Sequence, residues 1–531
     1  LRLYSFLKLF RVITAVIFIT ILSFCFVNIY SLIPPDTARY LALTQFVPSV
    51  LSFILVPSMI FSSFIFIILL TVLAGRSYCS FLCPLGIFQD IVSRLSSIFK
   101  IKKNYRYTLP HNLIRYSILA LVILSYSTAG TFIIRWLDPY SLYGRFAHNI
   151  LYPAATGINN ITADMLLKFN IFLLHPVDIK YGSSGIMLLT FILILSISAM
   201  AVLNGRLYCN TLCPVGSLLG IVSKISLIKI KIDKKSCVHC GKCEKICKSS
   251  SIRHGDDVVD FSRCVSCFNC LPVCPNSSIK FRFTFPRNKR DEQERVNPLH
   301  YSGKSNITRK SFIAGIILTP AILSAQPTVK KKVLYIQDRS KQKEYLKKTF
   351  ASPPGSLGTE RFNERCSACS LCITGCPSSV LQPSVMQYGI HGIMQPYLDF
   401  NTGYCNYDCV ICSELCPTGA INKISVAEKH LIQTGKSTFI KENCITYTNG
   451  TDCGACSEHC PTKAVNMAPF KNNLVIPEIN QKICTGCGAC EHVCPVRPFK
   501  AIYVEGNRTH DRAELPRKEK KITAEKGDFP F

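Results

Sequence analysis

Long apolar runs separated by basic loops fill the first two hundred residues, and shorter alternating pieces fill the rest. Four runs reach the roughly 20 residues that a bilayer crossing takes, at about 12–33, 46–72, 117–134 and 186–203. They predict an all-α membrane domain of four helices over residues 1–230. The first run is too long for a signal peptide and lacks a small-residue cleavage site. Further on, pieces such as Asn473-Leu474-Val475-Ile476 recur between turn residues, which predicts small two-stranded units. Leu1 in place of Met fits either an alternative start codon or a trimmed chain.

Charge orients the helices. Arg76, Arg94, Lys100, Lys102, Lys103 and Arg106 follow the second run. Arg206, Lys224, Lys229, Lys231, Lys234 and Lys235 follow the fourth. The loop after the first run has only Arg39, balanced by Asp36. After the third run, Arg135, Arg145, Lys168 and Lys180 are largely offset by Asp138, Asp164 and Asp178. The positive-inside rule puts the N-terminus and both basic loops in the cytoplasm. Much of the net charge of +29 is therefore topological. No basic stripe carries interleaved aromatics, so nucleic acid is not an expected partner. Trp136, just past the third run, is expected as an interfacial aromatic.

The membrane half contains a repeat. Gly75-Arg76-Ser77-Tyr78-Cys79-Ser80-Phe81-Leu82-Cys83-Pro84-Leu85-Gly86 matches Gly205-Arg206-Leu207-Tyr208-Cys209-Asn210-Thr211-Leu212-Cys213-Pro214-Val215-Gly216. Each copy follows an even-numbered run, so the unit is a pair of helices used twice. Cysteines four apart share a helix face. Cys79, Cys83, Cys209 and Cys213 read as a soft-metal or further cluster site, as two redox-active thiol pairs, or as packing at turns fixed by Pro84 and Pro214. Cys25 is expected to be a buried small side chain.

Twenty-four of the 29 cysteines form six groups of four. The first two are Cys237, Cys240, Cys243, Cys247 and Cys264, Cys267, Cys270, Cys274. The others are Cys366, Cys369, Cys372, Cys376; Cys405, Cys409, Cys412, Cys416; Cys444, Cys453, Cys456, Cys460; and Cys484, Cys487, Cys490, Cys494. Every group but the first ends in Cys-Pro. This is the bacterial ferredoxin arrangement, in which the fourth cysteine of one run serves the neighbouring cluster. It predicts six [4Fe-4S] clusters in α+β di-cluster domains. Zinc sites separate two C-x2-C pairs by longer inserts, and disulfide frameworks belong to short secreted chains. Cys237, Cys240, Cys243 and Cys274 are expected around one cluster, and Cys247, Cys264, Cys267 and Cys270 around the other. In the second region either sequence-adjacent runs pair or the runs nest, first with fourth and second with third.

Between the two ferredoxin regions, residues 286–308 read as a polar linker. Thr308-Arg309-Lys310-Ser311-Phe312-Ile313 then leads into a short apolar run ending in Ser324-Ala325-Gln326. Residues 309–326 thus have a signal-like layout, similar to a weakened twin-arginine signal with Lys310 for one arginine. Lys330-Lys331-Lys332 weigh against crossing, but long domains translocate largely regardless of such charge. The expectation is a cytoplasmic two-cluster domain at 231–285 and a periplasmic second half. The latter divides into a linker at 327–358, a four-cluster domain at 359–505 and a charged tail at 506–531.

The duplicated G-R-x-Y-C-x2-L-C-P-x-G on four helices, followed by a two-cluster ferredoxin, resembles the NapH-type membrane subunit and the membrane half of NosR. The second region resembles the NapG-type polyferredoxin. The whole is similar to a fusion of the two, although Cys444 and Cys453 have eight residues between them where other runs have two or three. The resemblance implies a quinol dehydrogenase-like electron-transfer component of the bacterial inner membrane, not a stand-alone enzyme. Its expected partners are the quinol pool and a periplasmic reductase or cytochrome acceptor. The alternative is a maturation or reductive-repair factor for a periplasmic or membrane metalloenzyme. No Cys-x-x-Cys-His, no histidine in the four runs and no Gly-rich nucleotide fingerprint occur, so haem, flavin and nicotinamide are not expected. Asp138-Pro139 resembles an Asp-Pro of relatives. Asp138 reads either as a proton acceptor for quinol or as a surface residue ending a helix.

Overall fold

The computed structural model describes residues 2–58, 62–101, 104–179, 182–253, 255, 257–284 and 342–516. The linker at 286–308, the signal-like segment at 309–326, Lys330-Lys331-Lys332 and most of the tail lie outside the described residues.

The membrane half is built from thirteen described α-helices and a π-helical turn at Ala147–Leu151. These are α1 (Arg2–Phe26), α2 (Pro35–Leu43), α3 (Phe46–Leu55), α4 (Ser63–Ala74), α5 (Tyr78–Phe81), α6 (Pro84–Ile98) and α7 (Asn112–Ala129). They continue with α8 (Phe132–Leu137), α9 (Pro139–Phe146), α10 (Tyr152–Lys168), α11 (Ser184–Asn204), α12 (Leu207–Thr211) and α13 (Pro214–Ser223). Three are long and apolar enough to cross a bilayer, namely Tyr4–Phe26 within α1, α7 and α11. Their outward side chains, Phe10, Ile17, Leu121, Leu124, Ile192 and Leu195 among them, are exposed, as lipid-facing positions are.

The expected second span is not one helix. It divides into α3 and α4, because Val56 precedes Pro57 and is extended at φ −136, ψ 95, outside the helical region that proline disfavours in its predecessor. The helices α2 and α3 instead form an apolar pair bent by 101°. The expected third span ends early as well. It stops at Ala129, where Gly130 turns the chain at φ 59, and α8 and α9 follow as short separate helices.

Behind the membrane half lies a small α+β unit. Strands β1 (Ile228–Ile232) and β4 (Ile279–Phe283) pair antiparallel with Ile230 opposite Phe281, and β2 (Ile252–Arg253) pairs with β3 (Val258–Val259). The second region has three more two-stranded antiparallel sheets. They are β5 (Leu381–Pro383) with β6 (Pro396–Leu398), β8 (Val465–Pro469) with β9 (Val475–Ile479), and β7 (Ile432–Phe439) with β10 (Ile502–Arg512). The piece Asn473-Leu474-Val475-Ile476 accordingly enters β9, with Ile476 opposite Ala468. Their cores are made largely of cysteines and small aliphatics.

Each long helix touches a different ferredoxin unit at each end. At the start of α1, Tyr4 and Leu7 pack on the core around Cys247 and Cys264, while Leu22 and Phe26 pack around Cys369 and Leu415. In α7, Arg115 donates to the Ser262 carbonyl at 3.0 Å, and just past its end the Thr131 amide donates to the Glu364 carbonyl at 2.9 Å. Ile186 in the first turn of α11 packs with Ala368 and Met394, and just past its end the Arg206 amide donates to the Lys248 carbonyl at 2.9 Å.

Candidate functional site

The cysteine loops are shaped before any metal is considered. In four runs the residues on either side of the second cysteine take left-handed φ. They are His239 and Gly241, Ser266 and Phe268, Ala368 and Ser370, and Gly486 and Gly488. Alternating right- and left-handed residues turn successive amides inward, the concavity that holds phosphate and iron–sulfur groups. The 405–412 loop has different spacing and carries no such residue. There Lys429, which is 7% exposed, donates to the Cys409 carbonyl at 2.5 Å and also to that of Asn406.

Grouping follows from these loops. Cys247, Cys264, Cys267 and Cys270 line one cavity of about 310 Å³. Cys237, Cys240, Cys243 and Cys274 line another of about 390 Å³. In the second region, Cys376, Cys405, Cys409 and Cys412 line a cavity of about 350 Å³. Cys416 lies within electrostatic reach of Cys366, Cys369 and Cys372. Cys494 stands in the same relation to Cys453 and Cys456, which also have Cys444 within reach, and Cys460 to Cys484, Cys487 and Cys490. Each set is three cysteines of one run plus the last of its sequence neighbour.

The donor sets suit [4Fe-4S] groups. Amides point at the sulfurs, with Ser251 donating to Cys247 Sγ at 3.4 Å, Ser278 to Cys274 at 3.2 Å and Ala501 to Cys494 at 3.3 Å. Such bonds tune iron–sulfur potentials. Burial pushes the Cys264 and Cys366 thiols up to about 12, so bare they would stay protonated. Iron supplies the positive charge that keeps ligating thiols ionised. All 29 cysteines are free of disulfide bonds.

Four arginines counted in the sequence as topological charges, Arg76, Arg135, Arg145 and Arg206, have other work, as does Arg115. Arg76, Arg115, Arg135, Arg145 and Arg206 rank among the largest fully buried side chains. Arg76 and Arg115 both reach the Ser262 carbonyl, at 2.9 and 3.0 Å. On the other side, Arg135 donates to the carbonyls of Cys366 at 3.0 Å and Asn363 at 2.6 Å, and to that of His391. A guanidinium saturates several carbonyls at once, which suits it to pinning loops whose backbone is not paired in a sheet. Gly-Arg at the head of both repeat copies was the sequence signal for two of the five.

The duplicated motif closes on itself. Arg206 donates to the Cys79 carbonyl at 2.7 Å, and Arg76 to the Cys209 carbonyl at 3.0 Å. Gly86 and Gly216 are required beside them. A Cβ on Gly86 would stand 2.4 Å from the Cys79 oxygen and 2.5 Å from Arg206 Nη1, and one on Gly216 would stand 2.2 Å from the Cys209 oxygen. Ser80 and Asn210, at matching positions, donate to the Val265 and Ser249 carbonyls at 2.6 and 3.0 Å, docking the α+β unit. Cys79, Cys83, Cys209 and Cys213 are all buried in one cluster with Val265, Leu142 and the edge of Cys267.

Beside this cluster, Asp90 is ringed by Arg206 at 2.9 Å, Lys248 at 3.5 Å and Arg11. Burial, with Arg11 and Arg206 nearby, pulls Lys248 down to about 7. Asp138 ends a helix, directly following Leu137 of α8, but it is buried and not at the surface. It caps α9, accepting from the Ser141 amide at 2.9 Å and the Ser141 hydroxyl at 2.6 Å. Trp136 is half-buried and packs on the cluster of Ile186, Ala368 and Met394, so the second ferredoxin region supplies part of its surroundings. Cys25 is buried as expected.

A family model described as a 4Fe-4S binding domain matches residues 55–104 and 186–235, and one described as a 4Fe-4S dicluster domain matches 451–497. The chain is 26% identical over 185 residues to the ferredoxin-type protein NapH of Escherichia coli (strain K12), covering 34% of this chain and 51% of that one. It is 26% identical over 193 residues to the electron transport protein YccM of the same strain, 34% and 44% of the two chains. To the methylamine utilization ferredoxin-type protein MauN of Paracoccus denitrificans (strain Pd 1222) it is 27% identical over 177 residues, 33% and 48%. The chain spans about half the length of the curated relatives it matches. No solved structure matches it. Its 4Fe-4S domain matches and these relatives make the chain similar to NapH-like ferredoxin-type proteins, and three of its helices are long and apolar enough to cross a membrane.

Proposed function

We propose that this protein conducts electrons between the two faces of the bacterial inner membrane. Residues 231–285 would receive them in the cytoplasm, from quinol or a cytoplasmic donor. Residues 359–505 would deliver them in the periplasm to a reductase or cytochrome. The observation that carries this reading is that α1, α7 and α11 each meet the first ferredoxin unit at one end and the second at the other. A helix of about 20 residues is as long as a bilayer core is thick.

The ligand sets we propose follow the loop geometry. One cluster is held by Cys237, Cys240, Cys243 and Cys274, and the next by Cys247, Cys264, Cys267 and Cys270. In the second region the sets are Cys366, Cys369, Cys372, Cys416; Cys376, Cys405, Cys409, Cys412; Cys444, Cys453, Cys456, Cys494; and Cys460, Cys484, Cys487, Cys490. When bound, such clusters supply one-electron carriers. The chain's part is to hold the sulfurs, aim amides at them, exclude water and press the loops against the helices. Arg76, Arg115 and Arg135 do the last of these.

Protease added to intact spheroplasts tests the sidedness. The expected result is digestion of the second region with residues 231–285 protected until lysis. Protection of both regions until lysis overturns the two-faced reading. Menaquinol or ubiquinol added to anaerobic membranes should bleach the cluster absorbance. If no quinol does so, while cells lacking the protein make a partner enzyme without its metal, the maturation reading takes its place.

A further inference from the structure

The six ferredoxin-type sets leave over the four cysteines of the repeat. Each is at most 4% exposed, and they converge from both repeat copies on one core. Four thiols sealed in a membrane domain without a disulfide need a reason to be there.

Their spread discriminates between uses. A single tetrahedral ion at metal–sulfur distances of about 2.3 Å draws its thiolates to within about 4 Å of one another. Among the described residues, the only trio of His, Cys, Asp or Glu ligand atoms within 4.8 Å of one another is Cys237, His239 and Asp257. No three of the four repeat sulfurs meet that limit. Neither do the four cysteines around either cavity of the first ferredoxin unit. The four repeat sulfurs are thus spread more widely than one ion would hold them, as are the sulfurs of the ferredoxin-type sites.

The surroundings agree. The Gly216 amide donates to Cys213 Sγ at 3.3 Å and Gln89 Nε2 to Cys209 Sγ at 3.2 Å, the bonding seen at the ferredoxin-type sites. Buried Arg76 and Arg206 offset the negative charge that four thiolates bring into low dielectric. The segments matched by the 4Fe-4S binding model, 55–104 and 186–235, contain no cysteines except these four.

Position gives the site a use. On one side the four cysteines pack with Val265 and Cys267 of the first ferredoxin unit. On the other they pack with Leu142, and two residues along the same helix a Cβ on Gly144 would stand 2.2 Å from the Cys369 oxygen. Tyr208, next to Cys209, donates to the Leu137 carbonyl at 2.7 Å. A hydrocarbon core about 30 Å thick is too wide for one tunnelling step between clusters at its two faces.

We infer that Cys79, Cys83, Cys209 and Cys213 together hold one polynuclear iron–sulfur cluster within the membrane domain, between the two ferredoxin units. Its role as a link rests on the two-faced reading; its existence does not. The double variant Cys79→Ala/Cys209→Ala, made in the full chain and purified anaerobically in detergent, is assayed for iron and acid-labile sulfide. The expected loss is about two to four of each per chain, with one low-temperature EPR component missing after dithionite reduction. Loss of about one iron and no sulfide means a single ion and overturns the inference, as does no loss of either. Native mass spectrometry of the unaltered full chain gives the same answer without mutation. One cluster more than the ferredoxin-type sets can hold supports the inference, and none beyond them overturns it. Neither readout depends on quinol or on sidedness, so either reading can fail alone.

Discussion

Arg206 reaches out of its own repeat copy to donate to the carbonyl of Cys79 in the other, at 2.7 Å. Arg76 returns the contact to Cys209 at 3.0 Å. Each copy therefore completes the backbone of its counterpart's cysteine loop. The arginines take the carbonyls, and the four cysteines lie together in one buried cluster.

The two arginines are not equivalent, and stability measurements should separate them. Arg206 also pairs with buried Asp90, through Nε at 3.0 Å and Nη2 at 2.9 Å. Arg76 meets no carboxylate: the oxygens it reaches are Asn210 Oδ1, the Ser262 carbonyl and the Cys209 carbonyl. Breaking a buried ion pair from one side costs about 3–5 kcal/mol, and orphaning a buried neutral acceptor about 1–3 kcal/mol. Thermal unfolding of the full chain in detergent should show Arg206→Met less stable than Arg76→Met. Equal losses would mean that Arg11 and Lys248 alone satisfy Asp90.

Gly216→Ala should be destabilising out of proportion to its size. The added carbon would stand 2.2 Å from the Cys209 oxygen and 2.9 Å from Arg76 Nη2, and overpacking of this kind costs about 1–3 kcal/mol. Gly157→Ala in α10 has nothing within 4 Å of its new carbon and should gain about 0.5–1 kcal/mol from helix propensity. Unfolding midpoints that move the same way for both substitutions would contradict the interlocked-loop geometry.

How far the sequence carried this differs from part to part. The cysteine spacing and the duplicated Gly-Arg-x-Tyr-Cys motif are local signals, and the motif's first cysteines fall in the short helices α5 and α12, its second ones just before α6 and α13. The second span misled because hydropathy averages over Pro57, whose effect on Val56 is purely steric. Arg135 and Arg145 were legible only as loop charges, since Arg135 reaches carbonyls, and Arg145 a sulfur, more than two hundred residues away. Asp138 was undecidable for the same reason. Nothing near it in sequence announces that Tyr208 and Cys369 lie within its electrostatic reach.

The second ferredoxin region should lose stability in mild acid through His510. Burial lowers its pKa from 6.5 to about 4, with neighbouring Asp511 opposing the shift, and its Nε2 lies 2.9 Å from Ser352 Oγ. The unfolded chain then binds more protons between those two values, so this contribution is complete above pH 6.5 and disappears as pH falls toward 4. Its full size is on the order of 3 kcal/mol. Cluster lability in acid affects the unaltered chain and a His510→Gln variant alike, so the difference between their urea midpoints isolates the histidine. That difference should shrink from pH 7 to pH 5; if it is constant, the ring is not held neutral by the fold.

Cluster pairing in the second region is decided by Cys376. It lines one cavity with Cys405, Cys409 and Cys412, which belong to the next run along the chain. Nested pairing would instead send it to the run of Cys484, Cys487 and Cys490, whose fourth neighbour here is Cys460. Removing one ligand of a four-thiolate site exposes an iron and labilises the whole group, so two ligands of one cluster act on the same irons. Cys376→Ala and Cys405→Ala should each lower the iron content of the full chain by up to about four atoms. The double variant should lose no more than either single one, the non-additivity expected of residues sharing a site. Cys376→Ala combined with Cys484→Ala should lose the sum of its single losses. If the two double variants exchange these behaviours, the runs nest, and the cavity around Cys376 is not where its cluster is built.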